Sequence, residues 1–133
     1  MRIALLIFIA AALDGCSLVD RGCVLPLEVE ELVGTWDWTR STGGIIGATY
    51  TPETEGKTAA IEFTSDCQLR TFENGSLVES SSFFVRPGRE QDTVLVREDH
   101  FVDQSIRLRG SRLELYDYCA DCYAYYYVRR VQP

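Results

Sequence analysis

The residues of this chain with chemistry to offer are five cysteines, one histidine and seven tyrosines. The cysteines are Cys16, Cys23, Cys67, Cys119 and Cys122, with no tandem C-x-x-C pairs at zinc-ligand spacing, so no metal site is assigned. Cys119-Ala120-Asp121-Cys122 is a single C-x-x-C. Redox pairs of that spacing use a helix N-terminus to stabilise the thiolate, whereas Tyr118 and Tyr123 flank this one in strand-like sequence; a structural staple is expected. Disulfides imply an oxidising compartment, and an odd count leaves one cysteine for another task. His100 follows Glu98-Asp99, and with Asp121 these are the only acid–base candidates. His100 is expected to be a solvated turn residue, and no nucleophile–histidine–acid set can be assembled around it. No catalytic residue and no cofactor is therefore assigned, and the chain is not expected to be an enzyme.

Composition bounds the partners. The formal charge is −7 over 133 residues, of which 46% are hydrophobic. That suits one packed domain and a monomer. An acidic chain repels phosphate backbones, so nucleic-acid binding is disfavoured.

The elements that must position these residues begin at Glu31-Leu32-Val33-Gly34-Thr35-Trp36-Asp37-Trp38. Alternation puts Trp36 and Trp38 on one face of a strand. Downstream the pattern predicts strands over 34–40, 57–64, 67–73, 76–86, 92–97, 103–109, 112–118 and 122–131. Asn74-Gly75 and Gly110-Ser111 mark tight hairpins. The last strand sends Tyr123, Tyr125, Tyr127 and Arg129 to one face, and Tyr126 and Val128 to the other. Regular short strands joined by tight turns predict an all-β domain, an eight-stranded antiparallel up-and-down barrel, because closure removes exposed edges. One or two helical turns over 27–33 precede it. The glycine-rich connection 41–56 is expected to be a loop at the mouth, either a lid with Ile45 and Ile46 dipping inward or plain wrapping.

Up-and-down topology constrains the disulfides. Cys23 and the turn holding Cys67 fall at one end of the barrel, and the turn holding Cys119 and Cys122 at the other. A bridge needs Cα atoms within about 7 Å, so Cys23–Cys67 and Cys119–Cys122 are expected.

The start of the chain reads as an export signal, residues 1–15, with Arg2 before an uninterrupted apolar run over 3–13. The run has the length of a signal core and is short for a membrane span. Leu13-Asp14-Gly15-Cys16 resembles a bacterial lipobox, with Asp14 departing from its usual pattern. That resemblance implies cleavage before Cys16 and lipidation of Cys16, leaving four cysteines to pair. The alternatives are secretion with a cut near Ala10-Ala11-Ala12, or an uncleaved buried helix. Residues 16–30 would then be a tether and 31–133 the barrel.

Leu32-x-Gly34-x-Trp36, the strand count and the terminal Tyr127-Val128-Arg129 resemble the lipocalin-like lipoproteins of bacterial envelopes; Gly43-Gly44-Ile45 and Thr51-Pro52 are similar to stretches in that group. The resemblance spans about residues 31–130. It implies that Gly34 and Trp36 close one end of the barrel with Arg129 packed across the indole, Arg130 being the fallback. It also implies a lipid anchor in the cell envelope, on the periplasmic or surface face of the outer membrane, and possible carriage of a small apolar molecule. The alternative is a filled barrel acting as an interaction module for an envelope protein or polymer.

Overall fold

The computed structural model describes Cys23 and residues 25–132; residues 1–15, expected to be an export signal, and Cys16 lie outside the described residues. Nine strands follow in order: β1 (Gly34–Gly43), β2 (Ala48–Tyr50), β3 (Ala59–Phe63), β4 (Gln68–Glu73), β5 (Ser76–Pro87), β6 (Thr93–Arg97), β7 (Gln104–Arg109), β8 (Arg112–Asp117) and β9 (Tyr123–Arg129). A helical turn, α1 (Leu27–Glu30), precedes β1, and a second, α2 (Pro52–Glu55), follows β2. β1 and β3 to β9 pair antiparallel with their chain neighbours, and β9 pairs back onto β1. The result is the expected closed eight-stranded antiparallel barrel. The Asn74-Gly75 turn has φ of 48° and 80°, the paired positive values that let a two-residue connection match strand twist.

The connection 41–56 is not the loop expected. β1 runs on to Gly43 and β2 folds back on it, pairing Ser41 with Tyr50 and Gly43 with Ala48. The chain then makes α2 because Thr51 and Thr54 cap each other reciprocally, Pro52 sits in the first turn and Gly56 closes it in the left-handed conformation. Ile45 and Ile46, at the tip of the β1–β2 hairpin, are 90% and 87% exposed and do not dip toward the mouth.

Alternation divides the interior into two zones. Toward the chain-entry end, Leu32, Trp36, Phe63, Leu69, Leu113 and Leu115 are almost fully buried, with Phe63 and Phe83 edge to face at 5.2 Å between centroids. The segment through α1 covers this end with Leu25 and Leu32 packed on the core. A Trp or Phe at such a site is worth about 3–5 kcal/mol against alanine. Trp38 points inward too, but lies above this plug in the wall of the opposite, open end.

The seam between β1 and β9 carries a bulge. Trp38 pairs with Tyr127 and Arg40 with Tyr126, so Thr39 is the extra residue. The bulge switches the phase of β1, turning Ser41 and Gly43 inward and Arg40 and Thr42 outward. Gly43 has φ of 153°, and a Cβ there would lie 2.3 Å from the Cys122 carbonyl oxygen. Gly43→Ala is therefore expected to cost about 2 kcal/mol or more in urea unfolding, from clash and backbone strain together. Gly47→Ala, at φ of 63° but with open space around it, should cost only the smaller left-handed penalty, about 1 kcal/mol.

Candidate functional site

The open end is built from inward positions at the ends of strands. Trp38 and Ser41 from β1, Ala59 from β3, Thr71 from β4, and Tyr125 and Tyr127 from β9 line a cleft of about 190 Å³. A second hollow of about 280 Å³ shares Trp38, Ser41 and Tyr125 and adds Tyr50 and Tyr123 toward the rim. The Trp38 indole N–H donates to Ser41 Oγ at 2.8 Å, which holds the ring against the wall. That bond exists only because the bulge brings Ser41 to the inner face. At the rim Lys57 Nζ pairs with Glu73 Oε1 at 2.6 Å.

Facing this aromatic wall, β5 to β8 supply a polar cluster. Arg97 donates to Asp99 through Nε at 3.0 Å and Nη2 at 2.7 Å, and Ser81 Oγ donates to the same carboxylate at 2.8 Å. Gln104 Nε2 donates to Asp117 Oδ1 at 2.7 Å, and His100 Nε2 lies 3.3 Å from that oxygen. Gln104 is 2% exposed, and its Oε1 has no partner among the described residues. The Tyr127 and Tyr125 phenols sit between cleft and cluster. Burial pushes the pKa of each upward; Arg97 opposes this and Asp117 reinforces it. Both rings therefore stay neutral hydrogen-bonding groups through the physiological range.

The residues singled out in the sequence fall in three places. Cys23 is joined to Cys67 and Cys119 to Cys122, with Cα separations of 5.4 and 5.5 Å, the pairing the topology predicts. Cys16 lies outside the described residues. Trp36 is fully buried and the Arg129 guanidinium stacks over it at 4.2 Å. Trp36 donates to the Leu32 carbonyl at 2.8 Å, while Arg129 donates to the carbonyls of Val33 and Glu31. Gly34 leaves room for that arginine, since a Cβ there would meet Nη1 at 2.9 Å. Arg130 instead pairs with Asp37 outside the barrel.

The acid–base candidates do not converge as a set. Glu98 and Asp121 are exposed. Asp99 turns inward to Arg97. His100 is not a free turn residue; its side chain is 27% exposed and packs on Asp117. Arg97, Gln104 and Asp117 were missed, although their signal is present: each shares the inward face of its strand with buried leucine or isoleucine, Leu95 on β6, Ile106 on β7 and Leu115 on β8. Among the described residues no group of three metal-ligating side chains gathers. No family model matches the chain, and no curated protein or solved structure matches it.

Asp99 gives the site a pH signature. Its burial raises the carboxyl pKa, but the bonds from Arg97 and Ser81 and the charge of Arg97 outweigh that and lower it to about 2. A depressed folded pKa contributes stability fully present above the unfolded value, 3.8, and lost as pH falls toward 2. The urea midpoint of the native chain should fall across this window, and Asp99→Asn should flatten the fall. Breaking the pair from the other side, with Arg97→Gln, should destabilise at neutral pH by about 3 kcal/mol, because it strands a carboxylate that is 12% exposed.

Proposed function

We propose that this chain is a non-enzymatic binding barrel of the lipocalin-like envelope lipoprotein type, carrying a small, mainly apolar molecule in the cleft bounded by Trp38, Tyr125 and Tyr127. The observation that carries the reading is the asymmetry of the interior. One end is plugged by Trp36, Phe63 and Leu32. The other keeps an aromatic cleft backed by neutral phenols and a fixed polar cluster. Binding sites combine such apolar walls with a few convergent polar groups.

The size of the cleft narrows the ligand. About 190 Å³ is near the volume that admits a single aromatic ring in an apolar cavity. With the rim hollow it suits a one- or two-ring amphiphile whose polar end faces the tyrosine hydroxyls, and it does not suit a long acyl chain. Attachment to the envelope is supported by the apolar run 3–13 and Leu13-Asp14-Gly15-Cys16. A lipidated Cys16 would hold the barrel close to the bilayer, since the stretch from Cys16 to Cys23 spans at most about 25 Å. Firm attachment needs more than one acyl chain on that residue.

The test uses 1-naphthylamine, a two-ring amphiphile whose fluorescence shifts to the blue on entering an apolar cleft. Saturable binding with a dissociation constant of about 1–100 µM is expected. Ala59→Phe, which fills the cleft, and Trp38→Ala, which removes its wall, should each weaken binding at least tenfold by the loss of ring contact. Ile45→Ser, at the exposed hairpin tip, should leave it unchanged. Absence of saturable binding, or binding that survives both cleft variants, sinks this reading in favour of the filled interaction module.

A further inference from the structure

The outside of the barrel concentrates positive charge on one wall of an acidic protein. Arg40 on β1, Arg107 and Arg109 on β7, and Arg112 on β8 all occupy outward positions and are exposed. Among the described residues none of the four forms an ion pair, whereas Lys57, Arg70, Arg86, Arg97 and Arg130 all do. The formal charge of the whole chain is −7, so this wall is charged against the rest.

Two features set these arginines apart from ordinary solvated surface. First, Arg40 and Arg107 are held in place. Arg40 lies 4.2 Å above the Tyr126 ring and Arg107 4.8 Å above the Tyr116 ring. The two rings meet edge to face at 6.2 Å, making one continuous stack across four neighbouring strands. A stacked guanidinium is immobilised in advance and keeps its in-plane N–H donors available for a carboxylate. Second, Arg109 and Arg112 are direct cross-strand partners on either side of the Gly110-Ser111 turn. Like charges placed opposite each other destabilise a hairpin. An anion bridging them removes that cost.

We propose that the outer face of β7, β8, β9 and β1 docks an extended, acidic segment of a protein partner. Its carboxylates pair with Arg40 and Arg107 at the two ends and with Arg109 and Arg112 along one margin. Spacing favours this occupant. Arg107 and Arg40 face each other through Glu114 and Tyr126 in the ladder. Three strand intervals put them about 14 Å apart, which is the span of four residues of extended chain. Between them Glu114 accepts from the Tyr116 hydroxyl at 2.6 Å, a fixed negative charge in mid-patch. That charge repels a densely anionic surface such as a phospholipid headgroup layer. It tolerates acids separated by neutral residues. Tyr and Arg are also the residues that dominate protein interfaces. The proposal does not depend on whether the interior cleft is occupied.

The probe is a fluorescein-labelled peptide of alternating Glu and Ser, read by anisotropy on the folded protein, with a Gln-Ser peptide as its neutral counterpart. Binding of the acidic peptide only is expected at low salt, weakening about tenfold toward physiological ionic strength. The double variant Arg40→Gln, Arg107→Gln should weaken it at least tenfold. Arg89→Gln, an exposed arginine in the β5–β6 connection, should not alter it. Tyr126→Leu should weaken it too, because it keeps apolar bulk but removes the ring that holds Arg40. Circular dichroism melting of each variant confirms that it is folded. No binding of the acidic peptide, binding indifferent to Arg40 and Arg107, or arginine-dependent binding to phosphatidylglycerol vesicles that exceeds peptide binding overturns the proposal.

Discussion

The structure depends on how β9 closes onto β1. Without that seam the sheet has two long edges, β1 with its two tryptophans and β9 with its four tyrosines, a template for association with other chains. The seam could not run as a plain ladder and still build the open end. Strict alternation from Trp36 and Trp38 would turn Arg40 and Thr42 inward and leave Ser41 and Gly43 outside. The extra residue, Thr39, reverses this, and its hydroxyl donates to the Tyr126 carbonyl across the seam at 3.0 Å. A single bulge thereby chooses an inner lining of Trp38, Ser41 and Gly43 and sends Arg40 to the outer wall. Gly43 then permits the β8–β9 turn, pinned by Cys119–Cys122, to approach the backbone of β1.

Below that level the interior is filled for stability; above it, other demands prevail. A partly buried Arg97–Asp99 pair gains little over well-packed apolar residues once desolvation is counted. The Gln104 amide oxygen has no protein partner among the described residues, so its burial gains nothing over an apolar side chain. Eight strands leave an interior that side chains can fill completely, and the lower half shows this sequence doing so with Trp36, Phe63, Leu69 and Leu113. The polar groups at Arg97, Gln104 and Asp117 are thus departures from what the same fold achieves a few ångströms away. Departures of that kind, next to a cleft, are where binding is expected to be built.

The barrel was legible because its signals are local and agree with one another. Period-two alternation, Asn74-Gly75 and Gly110-Ser111 each fix a strand or a turn without help from the rest. The disulfides were legible one level up, since strand parity alone sorts the cysteines by end. β2 was not, because three residues, Ala48 to Tyr50, carry no period, and their pairing depends on β1 continuing past Arg40. Nor was the bulge, which no pattern at Thr39 announces. The polar cluster escaped for a different reason. Gln104 and Asp117 lie near the ends of the expected strands 103–109 and 112–118, and period-two alternation gives each a face but no partner on the neighbouring strand. Only the register that sets Gln104 opposite Asp117 makes them an inward pair. His100, read as a solvated turn, was misjudged by the same step.

Strand β9 condenses the whole arrangement. Four of its seven residues are tyrosine, and alternation assigns them to two environments. Tyr123, Tyr125 and Tyr127 face the interior, and burial holds the Tyr125 and Tyr127 phenols neutral within the wall of the cleft. Tyr126 faces out, where its ring is a platform for Arg40 and an edge-to-face partner for Tyr116. The Tyr116 hydroxyl is raised above its ordinary pKa by burial and by Glu114 beside it. One residue type thus serves as hydrogen-bonding wall on one side of the sheet and as cation support on the other. The choice between those roles is made by the phase that the β1–β9 register imposes, so the inner and the outer face both inherit their chemistry from the same seam.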